Sequence, residues 1–187
     1  MDVGRPPRLD APLPDSGTDG LRLRPIEIAD AAAWHAYLAL PETTRHTSWA
    51  LRGPADIEAL IAGYLAPSAT PSATRYALVD AASGQLAGTL GLNEICAPHA
   101  RAEIAYDLDP RWRGRGIACR ACAALTDWAL AQGWHRIQAT VLDTNLASRR
   151  VLERCAYVNE GLLRGYRRVR GQPRDFWLYA RVAGDGR

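Results

Sequence analysis

One short segment, Asp109 to Ile117, combines glycine and arginine in a pattern that suits anion binding. Its sequence, Asp-Pro-Arg-Trp-Arg-Gly-Arg-Gly-Ile, contains Arg111-x-x-Gly114-x-Gly116 directly before a stretch with helical periodicity. Two glycines let the backbone turn tightly, and the first N–H groups of a helix are unpaired and carry a positive partial charge. We therefore expect a nest for an anion, and a pyrophosphate fits best. The alternative is an ordinary glycine turn with solvated arginines.

The spacing differs from two other phosphate-binding loops. A P-loop needs Gly-Lys-Ser or Gly-Lys-Thr, and this chain contains no lysine. A dinucleotide-binding loop needs G-x-G-x-x-G at the start of a strand–helix–strand unit, and neither the spacing nor the position agrees. The pattern is therefore evidence for an anion site of another kind.

The cysteines provide the other residue type that could hold a metal. Cys119 and Cys122 have CxxC spacing, whereas Cys96 and Cys155 are isolated in the sequence. A single CxxC within a helical stretch favours free, buried thiols over a zinc or redox site. The four histidines share no spacing, so the sequence predicts no metal centre.

The composition limits the class of protein. The 187 residues are 48% hydrophobic and 23% charged, which is ordinary for one globular domain. A net charge of +3 is too small for a dedicated nucleic-acid arm, so nucleic acid is not an expected partner. No signal peptide or membrane-spanning run is recognisable. We expect a cytoplasmic protein with a flexible extension over 1–20 and one domain over 21–184.

The elements that must position the loop follow from the periodicity of apolar residues. Helical periodicity occurs at Ile26–Leu40, Pro54–Ala66, Arg115–Gln132 and Leu146–Cys155. Alternation typical of strands occurs at residues 21–25, 75–80, 86–92, 101–108, 135–142, 157–163 and 174–182. A strand–helix–strand unit implies a parallel crossover, and the hairpins imply antiparallel pairs. The fold class is therefore α/β (α+β), with a mixed, mostly antiparallel sheet and helices on both faces.

Four stretches, in order, resemble the GCN5-related N-acetyltransferase (GNAT) superfamily, and more narrowly the bacterial ribosomal-protein N-acetyltransferases of the RimJ and RimL type. They are Leu21 to Ala31, Ala102 to Pro110, the Arg111-x-x-Gly114-x-Gly116 loop, and Asn145 to Ser148 followed by Val151 to Tyr157 and Glu160-Gly161. The resemblance covers residues 20–182 and implies the GNAT fold, in which central strands splay apart. One departure, Ala156-Tyr157 where Gly-Phe is usual, should affect only a turn.

The resemblance implies acetyl-CoA as a cosubstrate. Backbone N–H groups of the loop would hold its pyrophosphate, those of Arg111, Arg113, Gly114, Arg115, Gly116, Ile117 and Ala118. The backbone of Tyr106, Asp107 and Leu108 would pair with the pantetheine arm as an added strand would, and Asn145 would bind the same arm. From the residues alone, Tyr106 suits core packing and Asn145 suits the N-cap of a short helix.

The resemblance also implies acyl transfer to an amine, with two proton transfers. Glu103, on the central strand before the loop, is the candidate general base, and its alternative is an ion pair with a neighbouring arginine. Ser148 matches the position of a serine thought to contact the thiol sulfur in this subfamily, and its alternative is a solvent-facing place in the first helical turn. A backbone N–H in the gap between strands would polarise the acetyl carbonyl.

The sequence leaves the acceptor open. A protein N-terminal α-amine is one candidate, and a small-molecule amine such as an antibiotic, polyamine or amino acid is another. A non-catalytic acyl-CoA-binding module is the alternative outside enzymes. Trp34 and Trp49 flank the region where this fold places its acceptor, although core packing suits them better than stacking. The run Arg164 to Arg170 predicts a solvated hairpin or a surface for an acidic or RNA-rich partner. The family implies a homodimer.

Overall fold

Seven strands form one sheet in this computed structural model, which describes residues 7–47, 51–68 and 70–185. The strands are β1 (Leu21–Pro25), β2 (Thr74–Asp80), β3 (Leu86–Cys96), β4 (Arg101–Leu108), β5 (Arg136–Leu142), β6 (Val158–Val169) and β7 (Gln172–Val182). Their order across the sheet is β1-β2-β3-β4-β5-β7-β6. The pair β4 and β5 is parallel and the others are antiparallel, which confirms the predicted mixed sheet.

Helices cover both faces of the sheet, as predicted. They are α1 (Ala31–Leu38), α2 (Pro41–Thr44), α3 (Pro54–Leu65), α4 (Ile117–Ala131) and α5 (Leu146–Arg154). One core forms where α1 and α3 bury apolar side chains such as Trp34, Ile57 and Ile61 against β2. Another forms where α4 lies on the opposite face. Each fully buried side chain of this size contributes roughly 1.5–3 kcal/mol. Within the described ranges, no helix is long and apolar enough to cross a membrane.

The helix α4 links β4 to β5 and forms the crossover between the parallel strands. The residues that its periodicity placed on one face, Ile117, Ala121, Leu125 and Trp128, are all buried. Trp34 is also buried, in agreement with packing. Trp49 lies outside the described residues.

Three elements differ most from their predicted lengths. The predicted helix 26–40 is shorter, because the chain first forms a 3₁₀ turn at Ile28–Asp30, in which the Asp30 carboxylate accepts the Glu27 N–H, and α1 ends at Leu38. The strand β3 continues to Cys96 through a bulge after Asn93. The bulge interrupts the alternation of apolar and polar side chains, so the sequence pattern predicted an end at residue 92. The strand β6 continues through two bulges to a tight turn at Arg170-Gly171, where both residues have positive φ.

Residues 7–20 pack against the domain, whereas composition predicted a flexible extension over residues 1–20. The indole N–H of Trp128 donates to the Pro12 carbonyl oxygen at 2.8 Å, and that of Trp134 donates to the Arg8 carbonyl oxygen at 3.0 Å. Three apolar side chains of the segment pack on the core of α4, those of Leu9, Ala11 and Leu13. Proline-rich backbone can still accept hydrogen bonds from buried indoles, and this gives the segment a fixed place.

Removal of residues 1–14 is expected to destabilise the protein. The truncation leaves two indole N–H groups without their acceptors and exposes apolar surface, at a cost of about 2 kcal/mol. For a domain of this size, that lowers Tm by roughly 4–8 °C. Thermal unfolding of this truncation, beside one lacking residues 1–6, measures the effect. Equal Tm values would show that the contacts of Arg8 and Pro12 add no stability.

Candidate active site

The strands β4 and β5 pair only at their first residues and then separate. Arg101, Ala102 and Glu103 lie opposite residues 136–138 of β5, and residues 104–108 have no partner on that side. We call this gap between β4 and β5 the wedge. The predicted splaying of the central strands is therefore present, and it leaves one edge of β4 open.

The backbone of Tyr106 faces the wedge. The Asp109 N–H donates to the Ala87 carbonyl oxygen on β3, so the peptide groups of Leu108 point the other way. Tyr106, two residues earlier, shares that orientation. Its N–H and C=O can therefore pair with an extended ligand arm. The prediction named Tyr106, Asp107 and Leu108 for this role, but the Asp107 backbone faces Thr89 of β3 instead. The Leu108 carbonyl oxygen is already taken, because it accepts two hydrogen bonds from the Arg113 guanidinium, at 2.9 and 3.0 Å.

The glycine loop leads from β4 into α4. Gly114 and Gly116 have φ values of +77° and +72°, which glycine adopts without strain. Gly116 is the N-cap residue of α4, so the free N–H groups of the first helical turn point out of the loop. A Cβ at Gly114 would have no atom within 4 Å, so the space next to this backbone is open. This geometry suits a phosphate that approaches the main chain closely.

The loop arginines serve mainly as structural contacts, which corrects part of the predicted site. Arg111 donates its backbone N–H and the Nε and Nη2 of its guanidinium to the Asp109 carboxylate, so its backbone N–H is not free for a phosphate. The backbone N–H of Arg113 donates to the Pro110 carbonyl oxygen, and its guanidinium holds Leu108. The Arg115 guanidinium lies over the Trp112 ring. Sequence spacing placed these residues in the loop but could not show that the backbone N–H groups of Arg111 and Arg113 were already engaged.

A cleft of about 550 Å³ opens beside the loop and the wedge. Its lining includes most of the predicted residues, namely Tyr106, Asp107, Leu108, Arg113, Gly114, Gly116, Ile117, Ala118, Asn145 and Ser148. Arg111 and Arg115 do not line it. Sequence reasoning missed Arg150 and Arg154 on α5, which supply positive charge to the lining. Their spacing of four residues, which puts both on one face of α5, was the available signal.

Asn145, Ser148 and Tyr106 form a hydrogen-bonded group at the cleft. The Asn145 side-chain oxygen accepts the Ser148 N–H at 3.1 Å, so Asn145 is the N-cap of α5, as its position predicted. The hydroxyl groups of Tyr106 and Ser148 are 2.9 Å apart. Burial raises the pKa of Tyr106 well above its usual range, so this phenol stays protonated. When Tyr106 donates to Ser148 Oγ, the serine proton is free to point into the cleft.

Glu103 lies at the apex of the wedge and is 5% exposed. Its Oε1 accepts the Thr140 hydroxyl at 2.8 Å and the Arg167 guanidinium at 3.3 Å, so the ion pair that was the alternative to a base is present. Its Oε2 is buried and has no hydrogen-bond partner among the described residues. Burial raises the pKa of Glu103, and the Thr140 and Arg167 contacts oppose that shift. Glu103 does not line the cleft, because alternation along β4 puts it on the opposite face from Tyr106.

Comparison with known proteins adds to this geometry. The family model described as an acetyltransferase (GNAT) domain matches residues 20–158. The chain belongs to the GNAT acetyltransferase family. The uncharacterized N-acetyltransferase YoaA of Bacillus subtilis is 31% identical over 169 residues, which are 88% of this chain and 94% of YoaA. This acetyltransferase therefore has the fold and the enzyme class that its sequence motifs implied, that of an acetyl-CoA-dependent N-acetyltransferase.

Solved structures share the fold of this acetyltransferase. The ribosomal-protein-S5-alanine acetyltransferase from Vibrio fischeri has a TM-score of 0.79 and 23% identity, with 91% of this chain and 97% of that chain covered. The spermidine N-acetyltransferase from Vibrio cholerae, solved with CoA and spermine, has a TM-score of 0.77 and 21% identity, with 89% and 97% covered. At such identities, the likeness establishes the fold.

The Asp107 side chain has a structural place in this acetyltransferase. Its carboxylate accepts hydrogen bonds from the Tyr37 hydroxyl and from Thr89 Oγ1, the latter at 3.0 Å. Burial raises the pKa of Asp107, and the charge of Arg75 opposes the shift. These contacts join α1 to β3 and β4 below the cleft. Asp107 thus holds the first helix against the strand that borders the wedge.

The cysteines of this acetyltransferase are all free thiols. Cys122 is buried as predicted, whereas Cys119 is half-buried and lines the cleft. Cys119 Sγ lies 3.4 Å from Cys155 Sγ. Hydrogen bonds from Cys122 and Cys119 lower the pKa of Cys155 to about 7. Among the residues that the structure describes, no group of three or more His, Cys, Asp or Glu is arranged to hold a metal.

Proposed function

We propose that this protein transfers the acetyl group of acetyl-CoA directly to a peptide α-amine, with both substrates bound at once. The observation that carries the proposal is the wedge, with Glu103 on one face of β4 and the Tyr106–Ser148 pair on the other. The cosubstrate supplies a thioester carbonyl and a thiol leaving group. The open cleft beside Gly114 and the unpaired edge of β4 suit its pyrophosphate and its extended arm.

Glu103 acts on the amine side. The nitrogen that forms the new amide bond must lose a proton, and a bridging water can pass it to Oε2 of Glu103, which is buried and has no hydrogen-bond partner among the described residues. An α-amine has a pKa near ~8 and is partly neutral already, whereas a lysine amine near ~10.4 demands a stronger base. A carboxylate whose pKa is raised only by burial therefore suits an α-amine better than a lysine amine.

Ser148 acts on the thiol side. As the C–S bond breaks, the sulfur gains negative charge, and the free hydroxyl of Ser148 donates a hydrogen bond to it. Tyr106 and Asn145 fix that hydroxyl, through the side chain and through the Ser148 N–H. Arg113, Arg150 and Arg154 line the same cleft and favour an anionic cosubstrate.

Replacement of Tyr106 by phenylalanine is expected to lower kcat up to tenfold and to leave the Kd of acetyl-CoA nearly unchanged. The change removes one hydrogen bond of about 1 kcal/mol that orients Ser148. Ser148→Ala removes the hydroxyl itself. If Tyr106 acts through Ser148, the double variant is no slower than Ser148→Ala alone. Multiplicative effects on kcat would show that the two hydroxyls act independently.

Two-substrate initial rates test direct transfer. We call the face of β4 that carries Glu103 the acceptor face. Because the cleft lies on the other face of β4, both substrates can bind together. Reciprocal plots should therefore intersect. Parallel lines would indicate an acetylated enzyme instead, with Cys119 in the cleft as the residue to examine by mass spectrometry.

A polyamine acceptor is the second candidate. The structural neighbour from Vibrio cholerae is a spermidine N-acetyltransferase. In this chain, the side-chain oxygens of Glu94 and Glu103 both contact Arg167, so two carboxylates lie together on the acceptor face. With Arg167 between them, the two carboxylates keep one net negative charge, which would suit one ammonium group of a polyamine.

A cytoplasmic location and a homodimer are further parts of the proposal. Exposed apolar side chains on the edge strand β6 support a dimer, since Val158 is 58% exposed and Leu162 is 41% exposed. Light scattering measures the mass of the protein in solution. A monomer at all concentrations would remove the dimer from the proposal and leave the transfer reaction standing.

A further inference from the structure

Arg167 occupies the acceptor face next to the candidate base. Its Nη2 lies 2.9 Å from Glu94 Oε1 and 3.3 Å from Glu103 Oε1. Its guanidinium also stacks on the rings of Tyr166 and Phe176, at 5.0 and 5.7 Å from their centroids. Arg167 is therefore held on several sides and is a fixed part of this face.

A bulge in β3 turns the Glu94 side chain toward Arg167. Glu94 follows Asn93, where the register of β3 and β4 shifts, and its φ of +47° is a strained value for a residue with a side chain. Two carboxylates and one guanidinium leave the cluster with one net negative charge. Glu103 Oε2 has no hydrogen-bond partner among the described residues, so it can accept a hydrogen bond from a ligand. The cluster thus matches a single ammonium group.

The hairpin that carries Arg167 is strongly basic. Arginine occupies five of the eleven positions from 164 to 174, and no acidic residue occurs among them. Arg164, Arg168 and Arg170 are exposed, and none has a carboxylate partner within the described residues. Three unneutralised arginines in one hairpin favour an anionic partner.

The tip of the hairpin reaches the helix that borders the cleft. The Arg170 guanidinium donates to the Thr44 carbonyl oxygen at 2.7 Å, and Thr43 next to it lines the cleft. Arg167 in the same hairpin contacts Glu103, so the hairpin borders both the candidate base and the cleft. The basic surface is therefore placed beside the acceptor face.

We infer that this hairpin selects acceptors in which one α-amine is followed by an acidic peptide segment. The inference rests on the proposed transfer to a peptide amine and adds its charge specificity. The ammonium group pairs with the single net charge at Glu103, and carboxylates of the peptide pair with Arg164, Arg168 and Arg170. A polyamine carries several positive charges, so Arg167 and the hairpin would repel all but one of them.

Kinetics with three peptides test the inference. Ser-Ala-Asp-Asp-Asp-Tyr, Ser-Ala-Ser-Ser-Ser-Tyr and Ser-Ala-Arg-Arg-Arg-Tyr share the acceptor amine and differ in charge, and spermidine is the fourth substrate. We expect kcat/KM for the acidic peptide to exceed that of the neutral one about tenfold, which corresponds to about 1.4 kcal/mol shared among three exposed pairs. The preference should weaken as salt is added.

Variants separate the hairpin from general charge effects. The triple variant Arg164→Ala, Arg168→Ala, Arg170→Ala should reduce the ratio of acidic to neutral kcat/KM toward one. Arg22→Ala, an exposed arginine on β1 at the opposite edge of the sheet, should keep the ratio. Equal rates on all peptides, or a preference for spermidine, would overturn the inference while transfer stands. No turnover on any of the four amines would overturn the proposed function and the inference with it.

Discussion

Replacement of Glu103 by glutamine is expected to lower kcat about 10²- to 10³-fold while acetyl-CoA still binds. Proton transfer by a positioned base contributes typically 10²–10⁴-fold. Glutamine can keep the hydrogen bonds that Oε1 receives from Thr140 and Arg167, but it cannot accept a proton at the position of Oε2. Steady-state rates with a saturating amine, together with calorimetric binding of acetyl-CoA, measure both quantities.

The pH profile identifies the base more specifically. Glu103 must be ionised to act, so the rate should fall as pH decreases through its pKa, which burial raises above that of an ordinary glutamate. The residual activity of Glu103→Gln should not show this fall in rate at low pH. The folded state disfavours the ionised form of Glu103, so the contribution of this carboxyl group to the free energy of unfolding decreases as pH rises. The Tm of Glu103→Gln at neutral pH should therefore be no lower than that of the wild type.

The matched control for this change is Asp127→Asn. Asp127 lies on α4 in an ion pair with Arg181, at 2.6 Å, and has no contact with the wedge. This variant should retain the wild-type rate. A Glu103→Gln enzyme as fast as Asp127→Asn would remove Glu103 from the mechanism and leave it a structural partner of Arg167.

Replacement of Gly114 by alanine is expected to raise the Kd of acetyl-CoA by 10- to 100-fold. The open space beside Gly114 is where a phosphate would approach the backbone, and a methyl group there keeps it away. Loss of one hydrogen bond to a charged group costs about 1.5–3 kcal/mol, and 1.4 kcal/mol corresponds to tenfold in Kd. Calorimetric titration with CoA measures the change.

Gly84 provides a control of the same backbone conformation. Its φ is +73°, near the +77° of Gly114, and a Cβ at either position would have no atom within 4 Å. Alanine at either site therefore costs the same strain, about 1–2 kcal/mol. Gly84 lies in the turn between β2 and β3, so Gly84→Ala should lose stability but keep CoA binding. Equal loss of binding in both variants would mean that strain alone explains the effect.

Alternation and helical spacing predicted the existence of all seven strands and of the helices that border the site. These patterns report which residues face a core, and α4 shows this well because its spacing is regular. They do not report bulges, so the ends of β3 and β6 could not be predicted. The short helix α2 also gave no signal, since four residues are too few for a helical period.

The sequence predicted which residues lie at the candidate site, and the structure showed which of their groups are engaged in other contacts. The loop glycines, Asn145 and Ser148 lie at helix starts and line the cleft, and their roles toward acetyl-CoA stay predictions. The partners of Arg111 and Arg167 depend on side-chain reach and on contacts distant in sequence. Ala156 has φ +61° where the family usually has glycine, so the departure does affect a turn, as expected.

The most direct test of the account is CoA release from acetyl-CoA, measured by thiol trapping with wild type and Glu103→Gln in parallel. The amines would be N-terminal peptides, lysine peptides, polyamines and aminoglycosides. We predict turnover by the wild type with N-terminal peptides, matched by acetylated peptide in mass spectra, and its loss in Glu103→Gln. Tight binding of acetyl-CoA without transfer to any amine would contradict the account and indicate an acyl-CoA-binding module.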